Sequence, residues 1–135
     1  MKRIFLALIL AISPMLSFAQ QKLSAEEKKL VERIDKNYQE TVALLEEVIN
    51  INSGSLNLEG VREVGRVFER EFQKIGFQTE WVAVPAEVKR AGHFVATRTG
   101  TKGKKLFLIG HLDTVFEKDM PFTPFTWLND STATG

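Results

Sequence analysis

Apolar residues recur every three or four positions from Leu30 through Ile34, Tyr38, Val42, Leu45 and Ile49. That spacing predicts a helix with one apolar stripe. Ser24-Ala25-Glu26-Glu27 supplies its start, because a Ser hydroxyl and a Glu three residues on satisfy each other's free backbone N–H groups. Glu32 and Lys36 pair at i, i+4 on the polar side, and the helix is expected to run to about Asn50, with Asn52-Ser53-Gly54 ending it. A second stripe, Val61, Val64, Phe68, Phe72 and Ile75, predicts a helix of about four turns. Gly76 closes it, since glycine tolerates the left-handed conformation at a helix end.

From Phe77 the period falls to two. Phe77, Thr79, Trp81 and Ala83 alternate with more polar neighbours up to Pro85, and residues 93–99 form a second run rich in β-branched and aromatic types, so each is expected to be a strand. Gly100-Thr101-Lys102-Gly103 reads as a turn joining that run to a third strand over residues 104–109. In the third, Leu106-Phe107-Leu108-Ile109 is apolar on both faces, as in a central strand covered by helices on each side. After Ile109 the pattern predicts loop, with Pro121 and Pro124. The order helix, helix, strand, strand, strand predicts an α/β fold, the N-terminal portion of a helix-covered mixed sheet, incomplete because a central strand needs cover and neighbours.

The N-terminus carries a different pattern. Met1-Lys2-Arg3 is basic, residues 4–12 are apolar, Pro14 follows, and Ser17-Phe18-Ala19 places small residues at −3 and −1 before Gln20. Residues 1–19 are therefore read as a cleaved signal peptide and the protein as exported, periplasmic or secreted. The apolar run is less than half of the roughly 20 residues a membrane span requires, so no membrane attachment is expected after cleavage. Cleavage removes Lys2 and Arg3 and moves the net charge from +1 to −1. A nearly neutral chain offers no field for nucleic acid. With no cysteine, disulfides, thiolate ligands and a Cys nucleophile are excluded.

The chemistry concentrates in Gly110-His111-Leu112-Asp113-Thr114-Val115-Phe116, immediately after the apolar run. In open α/β sheets ligands bind outside the carboxyl ends of strands. Residues i and i+2 of an extended segment point the same way, so Asp113 can approach the His111 imidazole and fix its tautomer, as carboxylates do for metal-bound histidines. On the residues alone, a metal site and a structural histidine satisfied by a carboxylate both stand.

GHLDTVF, the upstream SGSLNLEGVREVGRVFEREFQKIGF and the downstream LNDSTATG together resemble, over about residues 40–135, the N-terminal part of the glutamate carboxypeptidase, aminoacylase and succinyl-diaminopimelate desuccinylase family of zinc metallopeptidases, peptidase clan MH. The resemblance implies two zinc ions sharing a bridging water and a bridging Asp, with a Glu as general base. It implies that His111 is a zinc ligand and Asp113 the active-site carboxylate that orients it, while the metals lower the water's pKa and polarise the scissile carbonyl. The implied substrate is an acyl amino acid, a dipeptide or a folate-like amide with a free carboxylate. A homodimer through a domain absent from this chain is implied as well.

In that family a glycine-rich stretch with the bridging Asp, and then a Glu-Glu pair, follow the segment that resembles this chain, so residues 20–135 are expected to be a truncated part of the catalytic domain, inactive alone. Glu117, Asp119 and Asp130 are read as solvated charges, His93 as structural or at the surface, and Lys102, Lys104 and Lys105 as a solvated turn. Ser53 and Ser55 lie in a turn with no recognisable base beside them, which argues against a serine nucleophile. Asn129-Asp130-Ser131 fits the N-glycosylation pattern. Two functions are carried forward: part of an exported zinc exopeptidase or amidohydrolase, and a small exported binding module without catalysis.

Overall fold

The computed structural model describes residues 22–135; the signal-peptide reading of residues 1–19 lies outside them. Two compact units divide the chain, Met1–Tyr38 and Gln39–Gly135.

In the first unit, α1 spans Ala25–Lys36. Its capping box forms as the sequence predicts: Ser24 Oγ accepts the Glu27 N–H at 3.2 Å, and Glu27 Oε2 accepts the Ser24 N–H at 2.7 Å. The helix does not continue to Asn50. It ends at Asn37, whose N–H reaches back to the carbonyls of Arg33 and Ile34, both at 3.1 Å, and a separate helix, α2, begins at Tyr38 (Tyr38–Ile49). Asn competes with the helical ladder for backbone hydrogen bonds, and the apolar stripe passes through the break unchanged.

In the second unit, α3 (Leu58–Lys74) packs on an antiparallel pair, β1 (Gln78–Val82) and β2 (His93–Thr97). Val61, Val64 and Val67 are buried along one face of α3, the face marked by the predicted stripe. Phe72 stacks edge-on with Phe77 at 5.1 Å and lies 6.0 Å from Phe94, which in turn faces Trp81 at 6.3 Å. Gly65 admits Trp81: a Cβ there would sit 2.3 Å from the indole. The indole N–H donates to the Ala91 carbonyl at 2.7 Å, so the ring is anchored at its polar end as well. Gly76 takes φ +83° just past the helix, the predicted stop. Arg70 grips Glu47 of α2 with two parallel bonds of 2.6 and 2.9 Å; both side chains are over two-fifths exposed, so solvent screens the pair.

The α/β class is as predicted, built among the described residues from three α-helices and two small antiparallel sheets. Two local expectations are corrected. Residues 104–109 form no strand and no hairpin with the preceding run; β2 pairs with β1 instead, and Leu106, Phe107, Leu108 and Ile109 are 80–88% exposed. An apolar run becomes a strand when a ladder takes up its backbone groups, and among the described residues none does. The stretch after Ile109 is not all loop. Thr126–Asn129 (β3) and Thr132–Thr134 (β4) form a hairpin with a bulge between Trp127 and Asn129. Its turn is held by Asn129 Oδ1, which accepts from the Ser131 N–H at 3.0 Å and the Ser131 hydroxyl at 3.1 Å.

Candidate functional site

Asn52, Ser53, Gly54 and Ser55, which lie between α2 and α3, carry the histidine segment. Gly54 and Thr114 form a parallel bridge: the Thr114 N–H donates to the Ser53 carbonyl at 2.8 Å, and the Ser55 N–H donates to the Thr114 carbonyl at 3.1 Å. Asn52 Nδ2 reaches the Phe116 carbonyl at 3.1 Å. Gly54 permits the approach, because a Cβ there would lie 2.6 Å from the Phe116 carbonyl oxygen. Ser53 is 3% and Asn57 7% exposed, so the floor of the site is firm. Asn57 caps α3 by accepting the Gly60 N–H at 3.2 Å, and its Nδ2 donates to the Asn52 carbonyl at 2.6 Å.

On this floor the structure brings His111 and Asp113 together. His111 Nδ1 lies 2.7 Å from the Asp113 carbonyl oxygen and 3.4 Å from the carboxylate oxygen Oδ1. A carbonyl accepts and an ionised carboxylate accepts, so the network assigns the hydrogen to Nδ1 and leaves Nε2 with a free lone pair. The imidazole is 81% exposed and the Asp113 side chain 36%. The Ser55 hydroxyl donates to the other carboxylate oxygen, Oδ2, at 2.5 Å. That hydroxyl is the chief reason the Asp113 carboxyl is held below its ordinary range; partial burial opposes it, and the Asp113 backbone N–H and the His111 ring add to the lowering.

Ser55 therefore has a partner that the sequence did not disclose: the Asp113 carboxylate, 58 positions away. Glu117 is likewise no free surface charge. Its two carboxylate oxygens accept the Leu56 N–H at 3.1 and 3.2 Å, ahead of α3. Local motif spacing carries no signal for either contact. Asp119, Asp130 and the three turn lysines are exposed as expected, and His93 opens β2 as an exposed residue.

Zinc, which the resemblance implies, can be tested against the donors present. His111 Nε2 has the right chemistry for one ligand. No group of three or more His, Cys, Asp or Glu gathers among the described residues, whereas catalytic zinc takes about three protein ligands. The described residues do not complete a zinc site, and no reaction step through zinc is derived from them.

What the unit presents is a mixed α/β fold carrying an exposed histidine bonded through Nδ1 to the Asp113 carbonyl, beside that residue's carboxylate. Over 77 residues the chain is 32% identical to Carboxypeptidase G2 of Pseudomonas sp. (strain RS-16), a match covering 57% of the chain. The match spans 18% of that relative's length. No family model matches the chain, and no solved structure does. The similarity is a distant one, to a carboxypeptidase. Among the described residues no helix is long and apolar enough to cross a membrane.

Proposed function

We propose that this chain is the N-terminal part of the catalytic domain of an exported, zinc-dependent hydrolase that cleaves an amide next to a C-terminal amino acid, and that residues 20–135 alone do not turn over substrate. The observation that carries the reading is the fixed orientation of His111: its Nδ1–H is spent on Asp113 and its Nε2 faces outward, the disposition a metal-binding imidazole needs. The similarity to Carboxypeptidase G2 supports the reaction class. In this reading His111 is one metal ligand and Asp113 holds its ring, while the other ligands and the base that activates water come from residues outside those described. The substrate class is an acyl amino acid, a dipeptide or a folate-like amide.

The test is to express the natural reading frame with whatever follows codon 135 and assay it against those three substrate types, beside the 135-residue chain. The longer product is expected to hydrolyse at least one of them, to lose that activity with chelator and with His111→Ala, and to lose about 10–100-fold with Asp113→Asn. Full turnover by the His111→Ala protein, or by the short chain, overturns the proposal.

A further inference from the structure

We propose that Ser55 is a positioning residue for His111, acting through Asp113: its hydroxyl fixes the aspartate whose carbonyl takes the Nδ1 hydrogen and whose carboxylate faces the ring, which holds the imidazole in the Nδ1–H form with Nε2 exposed. Three observations meet at this point. The Ser55 backbone is immobilised by the parallel bridge between Gly54 and Thr114 and by its own N–H bond to the Thr114 carbonyl. Its hydroxyl spans 58 positions of sequence to reach Asp113 Oδ2 at 2.5 Å. The opposite carboxylate oxygen faces His111 Nδ1 at 3.4 Å, while the carbonyl of the same aspartate takes the Nδ1 hydrogen at 2.7 Å.

A carboxylate on a short side chain rotates about its final bond unless something anchors it, since that torsion is broad. Two oxygens with two different partners define one orientation. The anchor matters because His111 is largely exposed, so burial does not hold the ring, and an unrestrained neutral imidazole in water favours the Nε2–H form. The Ser55 hydroxyl hydrogen is committed to Asp113, and its other close partner, the Thr114 carbonyl at 3.3 Å, is also an acceptor.

The purpose of an exposed Nε2 rests on the hydrolase reading, but the positioning itself does not, and the test separates them. Long-range ¹H–¹⁵N spectra of the full chain, recorded without metal above the pH at which imidazoles titrate, report which ring nitrogen of His111 carries hydrogen. The wild-type chain is expected to show the Nδ1–H form, Ser55→Thr to retain it, and both Ser55→Val and Ser55→Ala to shift most of the population to Nε2–H, with the Thr114 amide still protected from exchange. An Nε2–H ring in the wild type overturns the proposal, as does an unchanged ring in whichever of the Val and Ala variants folds. Should both unfold, Ser55→Thr decides, because a folded threonine variant with the Nε2–H ring also overturns it. A failed peptide-hydrolysis assay leaves the tautomer result untouched, and an unchanged ring in the Ser55 variants overturns the positioning role while leaving the hydrolase reading standing.

Discussion

Glu117 holds the backbone N–H of Leu56 with both carboxylate oxygens, at 3.1 and 3.2 Å, across 61 positions of sequence. The contact ties the far end of the histidine segment to the approach of α3, so the segment is pinned just after Asp113: at Thr114 by the bridge, at Phe116 by Asn52 Nδ2 and at Glu117 by the Leu56 N–H.

Removing that carboxylate with Glu117→Ala is expected to cost about 1 kcal/mol, less than a buried charged hydrogen bond because the group is half-exposed. Glu117→Gln, which keeps an accepting oxygen, costs less. Amide exchange at Leu56 checks it: faster exchange in the Ala variant, with little change at Val64, supports the local role.

Gly60→Ala reverses the usual sign of a glycine-to-alanine change in a helix. In an exposed helix interior the substitution gains roughly 1 kcal/mol. At Gly60 a Cβ would lie 1.9 Å from the Asn52 carbonyl oxygen, and backbone cannot swing aside as a side chain can. The expected outcome is a loss of about 1–3 kcal/mol, read from the denaturant midpoint. Gly100→Ala is the control, its nearest neighbour being 3.9 Å from the added atom, and is expected to be neutral.

Residues 106–109 predict self-association of the chain by itself. Four large side chains, each 80–88% exposed, forfeit roughly 1.5–3 kcal/mol of burial apiece, and contiguous apolar surface of this kind promotes aggregation. Sedimentation is expected to show species larger than a monomer, reduced by Phe107→Lys or Leu108→Glu. Because those side chains are not packed, the substitutions are expected to change the unfolding free energy by less than about 0.5 kcal/mol; a large loss would mean the segment is packed in solution.

The start of α1 is expected to loosen in acid. The Ser24 backbone N–H, followed by the Ser24 hydroxyl, holds the Glu27 carboxyl below its ordinary value of 4.5. A group whose folded pKa is depressed contributes stability above its unfolded pKa and loses it as pH falls through the folded value. The cap is therefore intact at neutral pH and weakens in the acid range below the ordinary glutamate value. Amide shifts of Ser24 and Glu27 through that range check it; Ser24→Ala, which keeps the backbone N–H and removes only the hydroxyl, is expected to weaken the dependence, and Glu27→Gln to abolish it.

Features that near neighbours along the chain settle among themselves are legible without a structure. Ser24 and Glu27 set a helix start, Gly76 a helix stop at φ +83°, and the alternation at Thr79 and Trp81 a strand face, because each depends on atoms a few positions apart. Periodicity also chose the face of α3 that buries Val61 and Val64. It could not see the break at Asn37, across which the apolar stripe is continuous, nor the β3–β4 hairpin, whose short strands follow two prolines. Tertiary structure alone decided whether residues 106–109 find a ladder, since strand pairing is a property of two segments and not of one. It likewise decided the site: His111 and Asp113 are legible as a pair two positions apart, whereas Ser55 and Glu117 acquire partners 58 and 61 positions away when the bridge at Gly54 and Thr114 brings two loops into register. Hydrogen bonds of that reach depend on chain closure, and local spacing holds no record of it.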